Sequence, residues 1–217
     1  MMTSLFSSFD PSTSMTQMNW MIMMMTLTIM PMNFWIKKSR WNMLKTTMEK
    51  KMNEDFWNNT NHKEMLSFSS SIMITIFLNN LLGLFPYNFT TTSHMCISIS
   101  LALPMWITMM TYGWTKFTNE MFTHLLPTST PTMIMPMMIL IETIGNIIRP
   151  ISLSVRLSAN MIAGHLLMIL LGSINEINLL IMTIVFKTTL MMFEMAISII
   201  QAYVFATLIT LYSSEIP

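Results

Sequence analysis

Apolar residues fall along this chain in long blocks separated by short polar ones, and the block lengths set the elements. Residues 1–18 are polar and hold Asp10-Pro11-Ser12, a turn signal, so they read as an exposed lead-in. Residues 19–36 form an apolar run long enough to cross a hydrocarbon core of ~30 Å, with Pro31 inside it. Residues 37–65 reverse the pattern. Lys37, Lys38 and Arg40 open a basic segment, and from Lys45 to Glu64 charges alternate in sign among Met48, Met52, Phe56 and Trp57. That pattern suits a helix lying at an interface or a solvated connection. Residues 66–86 and 95–114 predict two more crossings, the first ending at Pro86-Tyr87-Asn88 and the second holding Pro104, Trp106, Tyr112 and Trp114. Residues 115–132, with Glu120, His124 and Pro127, predict a segment along the surface.

The last two blocks, residues 133–171 and 178–213, are much longer and flank the polar stretch Gly172-Ser-Ile-Asn-Glu-Ile-Asn178. As continuous helices they measure ~58 Å and ~51 Å. Neither stands upright in a bilayer, and ordinary tilts stop near ~40°. The prediction is a steeply tilted two-helix hairpin, curved or kinked near Pro150. The fold class is therefore all-α integral membrane, a single domain of three conventional crossings, the tilted hairpin and an amphipathic surface helix. The positive-inside rule puts the basic segment on the cytoplasm-like side, which places the N-terminus opposite it and Lys116 and the C-terminus beside it.

Composition narrows the class. The chain is 53% hydrophobic and 10% charged, too apolar for one soluble core of this length. A formal net charge of +1 argues against a nucleic-acid partner, although seven of the eleven Lys and Arg residues lie between Lys37 and Lys63. Cys96 is the only cysteine, so there is no disulfide framework. His62 and His94 sit in polar connections without ligand companions; neither a metal nor a cofactor is predicted, and neither histidine is given a role. Residues 1–18 lack the features of a secretory signal or a transit peptide. Thirty methionines suggest a genome in which an isoleucine-type codon is read as methionine, as in mitochondria. The basic side is then the matrix.

Charged residues inside the long blocks carry the chemistry. The first holds Glu142, Arg149, Arg156, Asn160 and His165; the second holds Lys187, Glu194 and Gln201, with Glu215 at its end. A guanidinium at bilayer depth costs at least ~2.5 kcal/mol and does not escape by losing its proton. Glu142, Arg149 and Arg156 are seven apart and share a face, with Asn160 one turn beyond, whereas His165 is rotated about half a turn away. An antiparallel hairpin pairs residues whose numbers have a constant sum. Arg156 with Gln201 and Glu142 with Glu215 share one sum, and His165 with Glu194 falls close to it. Gly145, Ala159, Ala163 and Gly164 thin the first helix, so another helix is able to approach Arg156. A carboxylate brought beside that guanidinium is favoured in its ionised form; moved into lipid it stays protonated. This is a proton-handling device lacking its moving carboxylate, which a partner must supply.

The run Arg156-Leu-Ser-Ala-Asn-Met-Ile-Ala-Gly-His165, with Glu194-Met-Ala-Ile-Ser-Ile-Ile-Gln-Ala-Tyr-Val-Phe205, resembles the a subunit (subunit 6) of the membrane sector of rotary ATP synthase in its mitochondrial form. The opening Leu5-Phe-Ser-Ser-Phe-Asp-Pro-Ser12 is similar to the start of animal versions. Strong motifs cover about residues 133–213. The resemblance implies that Arg156 is the family's essential arginine facing a rotating ring of c subunits, with Asn160 and Gln201 as polar support. It implies that His165 and Glu194 line the half-channel from the intermembrane space, where bacterial members carry acid and histidine the other way round. Glu142 and Glu215 match carboxylates of the matrix-side half-channel. Ser158 stands where threonine is common. Two roles stay open for Arg149, the matrix half-channel or an interhelical pair, while Lys187 reads as snorkelling to the interface.

The implied protein is a proton-conducting stator subunit of the mitochondrial inner membrane. Its partners are the c-subunit ring, the peripheral stalk and other subunits of the membrane sector, the lipid bilayer and protons. No nucleotide-binding loop or nucleophile constellation is visible, so the chain is no enzyme by itself and ATP chemistry belongs to other subunits. A secondary proton or ion transporter is a rival, but no internal repeat is visible. A non-transporting assembly subunit explains the hydropathy and leaves the polar register unexplained.

Overall fold

A computed structural model describes residues 5–12, 16–29, 39–58, 63–85, 88–126, 131–173 and 180–214. The helices are α1 (Met21–Ile29), α2 (Arg40–Trp57), α3 (Lys63–Leu84), α4 (Met95–Lys116), α5 (Thr118–His124), α6 (Met135–Gly172) and α7 (Leu180–Ser214). Short 3-10 turns occupy Leu5–Phe9, Met18–Trp20 and Thr91–Ser93. No strand occurs among the described residues. Among the described residues, four helical stretches are long and apolar enough to cross a membrane: Met65–Leu84, Met95–Lys116, Met135–Gly172 and Ile181–Ser214. The predicted crossing at residues 19–36 is described only as far as Ile29, so its second half lies outside the described residues.

Four helices meet in one core. α3 packs along α7, α4 along α6, and α6 against α7. Ile76 of α3, Met105 and Met109 of α4, Leu153 and Leu157 of α6, and Phe205 and Ile209 of α7 form its centre. Ala102 and Ala202 lie in the same cluster, letting backbones come close where lipid gives helices no hydrophobic reason to associate. Buried hydroxyls also belong to these seams. Ser154 donates to the Ile151 carbonyl at 2.8 Å, Ser198 to that of Met195 at 2.8 Å and Ser69 to that of Leu66 at 3.1 Å. Each polar atom is thereby satisfied inside its own helix, as a water-free interior requires.

Both internal prolines are absorbed. Pro104 sits within α4 and buried Pro150 within α6, which continues through it over 38 residues, a length of about 57 Å. Outside the core, α2 begins at Ser39, whose hydroxyl accepts from the Asn42 backbone N–H at 3.3 Å. Lys45 and Glu49 pair at 3.7 Å one turn apart. At its far end Phe56 is fully buried against Leu66 and Ala206 and stacks on Tyr203, ring centroids 6.3 Å apart. Trp41, Leu44 and Met48 of the same helix are exposed. One end of the basic segment is thus anchored on α3 and α7. Beyond α4, the seven-residue α5 folds back so that Phe122 meets Trp114 edge to face at 4.9 Å.

Candidate functional site

α6 carries three of the candidate side chains on one stripe, because seven-residue spacing rotates each by only ~20° from the last. Arg149 Nη2 lies 3.7 Å from Glu142 Oε1. Its guanidinium carbon stands 5.0 Å from the centre of the Tyr212 ring on α7. Arg149 therefore joins a carboxylate of its own helix and an aromatic face of the next. Arg156 is exposed and has no carboxylate within ion-pair distance among the described residues. Glu215 lies outside the described residues, and Lys187 is exposed.

The polar contact joining α6 to α7 sits one turn beyond Arg156. Asn160 Nδ2 donates to Gln201 Oε1 at 3.2 Å, and Gln201 is buried. The constant-sum register had set Gln201 level with Arg156; the observed partner is four residues on, and Arg149 against Tyr212 keeps the same shifted register. The two helices run antiparallel, since partners descend α7 as they ascend α6.

Further along, His165 and Glu194 line one cavity of about 250 Å³ together with Asn160, Gly164, Leu190 and Phe193. Glu194 is only 9% exposed. Its Oε1, the Nε2 of His165 and the Nε2 of Gln201 are buried without a hydrogen-bond partner among the described residues. Such groups cost ~1–3 kcal/mol each when left unmade, and two of them, on His165 and Glu194, belong to residues that line the cavity. Glycine makes the approach possible. A Cβ built on Gly164 would meet Glu194 Cδ at 2.9 Å, Oε1 at 3.0 Å and Cγ at 3.1 Å. Gly145, grouped with Gly164 by sequence, meets nothing within 4 Å, and Ala159 and Ala163 are exposed.

Residues 12–214 match the family described as ATP synthase A chain. This chain belongs to the ATP synthase A chain family. It is 47% identical to the ATP synthase subunit a of Locusta migratoria, 46% to that of Aedes albopictus and 45% to that of Drosophila yakuba, each over the full length of both chains.

Several neighbours of the site carry no signal in the sequence. Phe9 reaches His165 with its ring edge, centroids 6.4 Å apart, across a separation no periodicity reveals. His94 bonds the Phe9 carbonyl through Nε2 at 3.1 Å. The sequence register sets Leu208 level with Arg149, so Tyr212 becomes its neighbour only through the shifted packing of the two helices. Among the described residues, no cluster of three or more His, Cys, Asp and Glu is gathered for a metal ion.

Proposed function

We propose that this chain is the proton-conducting stator subunit of a rotary ATP synthase in the mitochondrial inner membrane. α6 and α7 form a steeply tilted hairpin, with the N-terminus toward the intermembrane space and the C-terminus toward the matrix. Protons from the intermembrane space reach the cavity between His165 and Glu194 and neutralise a carboxylate on a ring of c subunits. They travel round with the ring and leave past Glu142 and Glu215 toward the matrix. Asn160 and Gln201 support the helix pair beside this path, and Arg149 steadies the matrix-side end of the hairpin. Peripheral stalk subunits hold the chain still while the ring turns, and nucleotide chemistry takes place in other subunits.

Arg156 separates the two paths. Its guanidinium does not give up its proton, repels a proton on the short route, and favours the ionised form of a passing carboxylate. A leak would be costly, since each charge crossing carries ~2.3 kcal/mol per 100 mV. The observation that carries this reading is the pairing of an exposed arginine without a carboxylate partner among the described residues with a nearby cavity that gathers orphaned polar atoms. Arg156→Ala is expected to abolish ATP synthesis driven by a proton gradient in inner-membrane vesicles, with the assembled complex retained. Surviving gradient-driven synthesis would defeat the scheme. Arg156→Lys separates shape from charge, because a buried lysine is able to deprotonate.

A further inference from the structure

His165 needs a fixed orientation if its ring is to serve the cavity, yet its Nε2 has no hydrogen-bond partner among the described residues. Packing must set the ring. Phe9 stands against His165, its ring 84° to the imidazole plane with centroids 6.4 Å apart, and does not line the cavity itself. The Leu5–Phe9 turn rests on α6. A five-residue 3-10 turn is too short to hold its place by itself and needs a tie.

The tie is His94, immediately before α4. Its Nε2 lies 3.1 Å from the Phe9 carbonyl oxygen. A carbonyl only accepts, so that nitrogen carries the hydrogen and donates. The His94 ring is in turn held by Trp20, at 5.3 Å, and Phe89, at 5.2 Å, and Phe89 is buried. The segments of Trp20 and of Phe89 and His94 thus meet around the one ring that binds the Phe9 carbonyl.

We propose that His94 is a positioning residue for proton uptake: it latches the Leu5–Phe9 turn so that Phe9 backs the His165 ring and keeps it turned into the cavity. The inference rests on the proposed role of His165. Loss of the latch leaves the fold of the four core helices intact and lets the imidazole swing off the path.

The test uses the assembled ATP synthase in inner-membrane vesicles stripped of the catalytic sector, with passive proton flux normalised to the amount of assembled complex. His94→Leu removes the donor and is expected to lower flux about three- to tenfold, the shift in seated fraction that one neutral hydrogen bond sustains. His94→Gln, whose amide also donates, is expected to restore most of it. Phe9→Ala should lower flux to a similar extent, and the double variant should be no slower than either single one, because both act on one latch. Native flux in His94→Leu, failure of glutamine to rescue, or additive losses in the double variant would each overturn the proposal. If His94→Leu does not assemble, Phe9→Ala decides alone: unchanged flux there sinks the idea. Arg156→Ala in vesicles that keep the catalytic sector holds the two readings apart, since its loss of gradient-driven synthesis stands whether or not His94 acts as a latch.

Discussion

Gly164→Ala is the sharpest available test of the His165–Glu194 cavity, because a single methyl is placed where the glutamate now lies. The added Cβ would stand 2.9 Å from Glu194 Cδ, and ordinary contact begins at 3.4 Å, so the carboxyl group must retreat by about 0.5 Å. The displaced atoms belong to a side chain rather than to backbone, and turning it about 30° off its rotamer costs ~0.5–1.5 kcal/mol. Against that, alanine is favoured over glycine in a helix interior by ~1 kcal/mol. The two effects nearly cancel, so the complex should assemble. Proton transfer is less forgiving. A misplacement of 1 Å can cost ~100-fold, and half of it is expected to lower flux about tenfold. The measurement is passive proton flux through vesicles stripped of the catalytic sector, normalised to assembled subunit. Gly145→Ala is the matched control, since a Cβ there meets nothing within 4 Å. Adding Glu194→Asp to Gly164→Ala shortens the side chain by one methylene and should recover part of the loss. If Gly164→Ala and Gly145→Ala conduct alike at the native rate, the close approach of Glu194 to α6 has no functional weight.

Glu194→Gln keeps the shape of the side chain and removes its charge, so proton uptake should slow while assembly persists; flux identical to native across a pH series would take Glu194 out of the path. Phe56→Ala empties a fully buried site and should cost ~3–5 kcal/mol, read as reduced yield of assembled complex and faster proteolysis of α2, whereas exposed Met48→Ala should change neither. Tyr212→Leu removes the aromatic face under Arg149, worth ~0.5–1 kcal/mol at a partly exposed position, and should slow ATP-driven proton pumping about two- to fivefold. Tyr212→Phe retains the ring and should pump at the native rate; equal losses in both variants would show that the phenol hydroxyl, not the ring face, matters.

The helical class and the spans described here were legible because hydropathy in lipid is a one-dimensional property: every backbone polar group is satisfied within its own helix, so length and apolarity suffice. The stripe of Glu142, Arg149 and Arg156 was legible for the same reason, since helical phase follows from spacing alone. The register between helices was harder. It was read from polar levels alone: His165 and Glu194 do line one cavity, with Gly164 against Glu194, whereas Gln201 meets Asn160 rather than Arg156. Contacts between distant segments were not legible at all. Phe9, Trp20, Phe89, His94 and His165 meet through tertiary folding, and none sits in a pattern that announces the others.

Helical phase also explains why one helix can carry two separate polar sets. The residues of α6 that face the core are Pro150, Leu153, Ser154, Leu157, Ser158 and Met161. On a helical projection that packed stripe begins beside the face of Glu142, Arg149 and Arg156 and runs round to the position of His165, which sits near its far edge. Packing against the core therefore closes one of the two arcs between them, while the other, through Val155 and Ala159, is exposed. Along the axis, nine residues separate Arg156 from His165, a rise of about 14 Å, and Asn160 stands between them about 6 Å from the Arg156 level. Asn160 is bound to Gln201 and borders the cavity, so the intervening polar group is itself tied to the second helix. A direct transfer from the cavity to the arginine level has no titratable group to hop through on α6. On the proposed path the proton is instead carried by something that moves past both levels, and the exposed side of the arginine stripe is where such a carrier has room to pass.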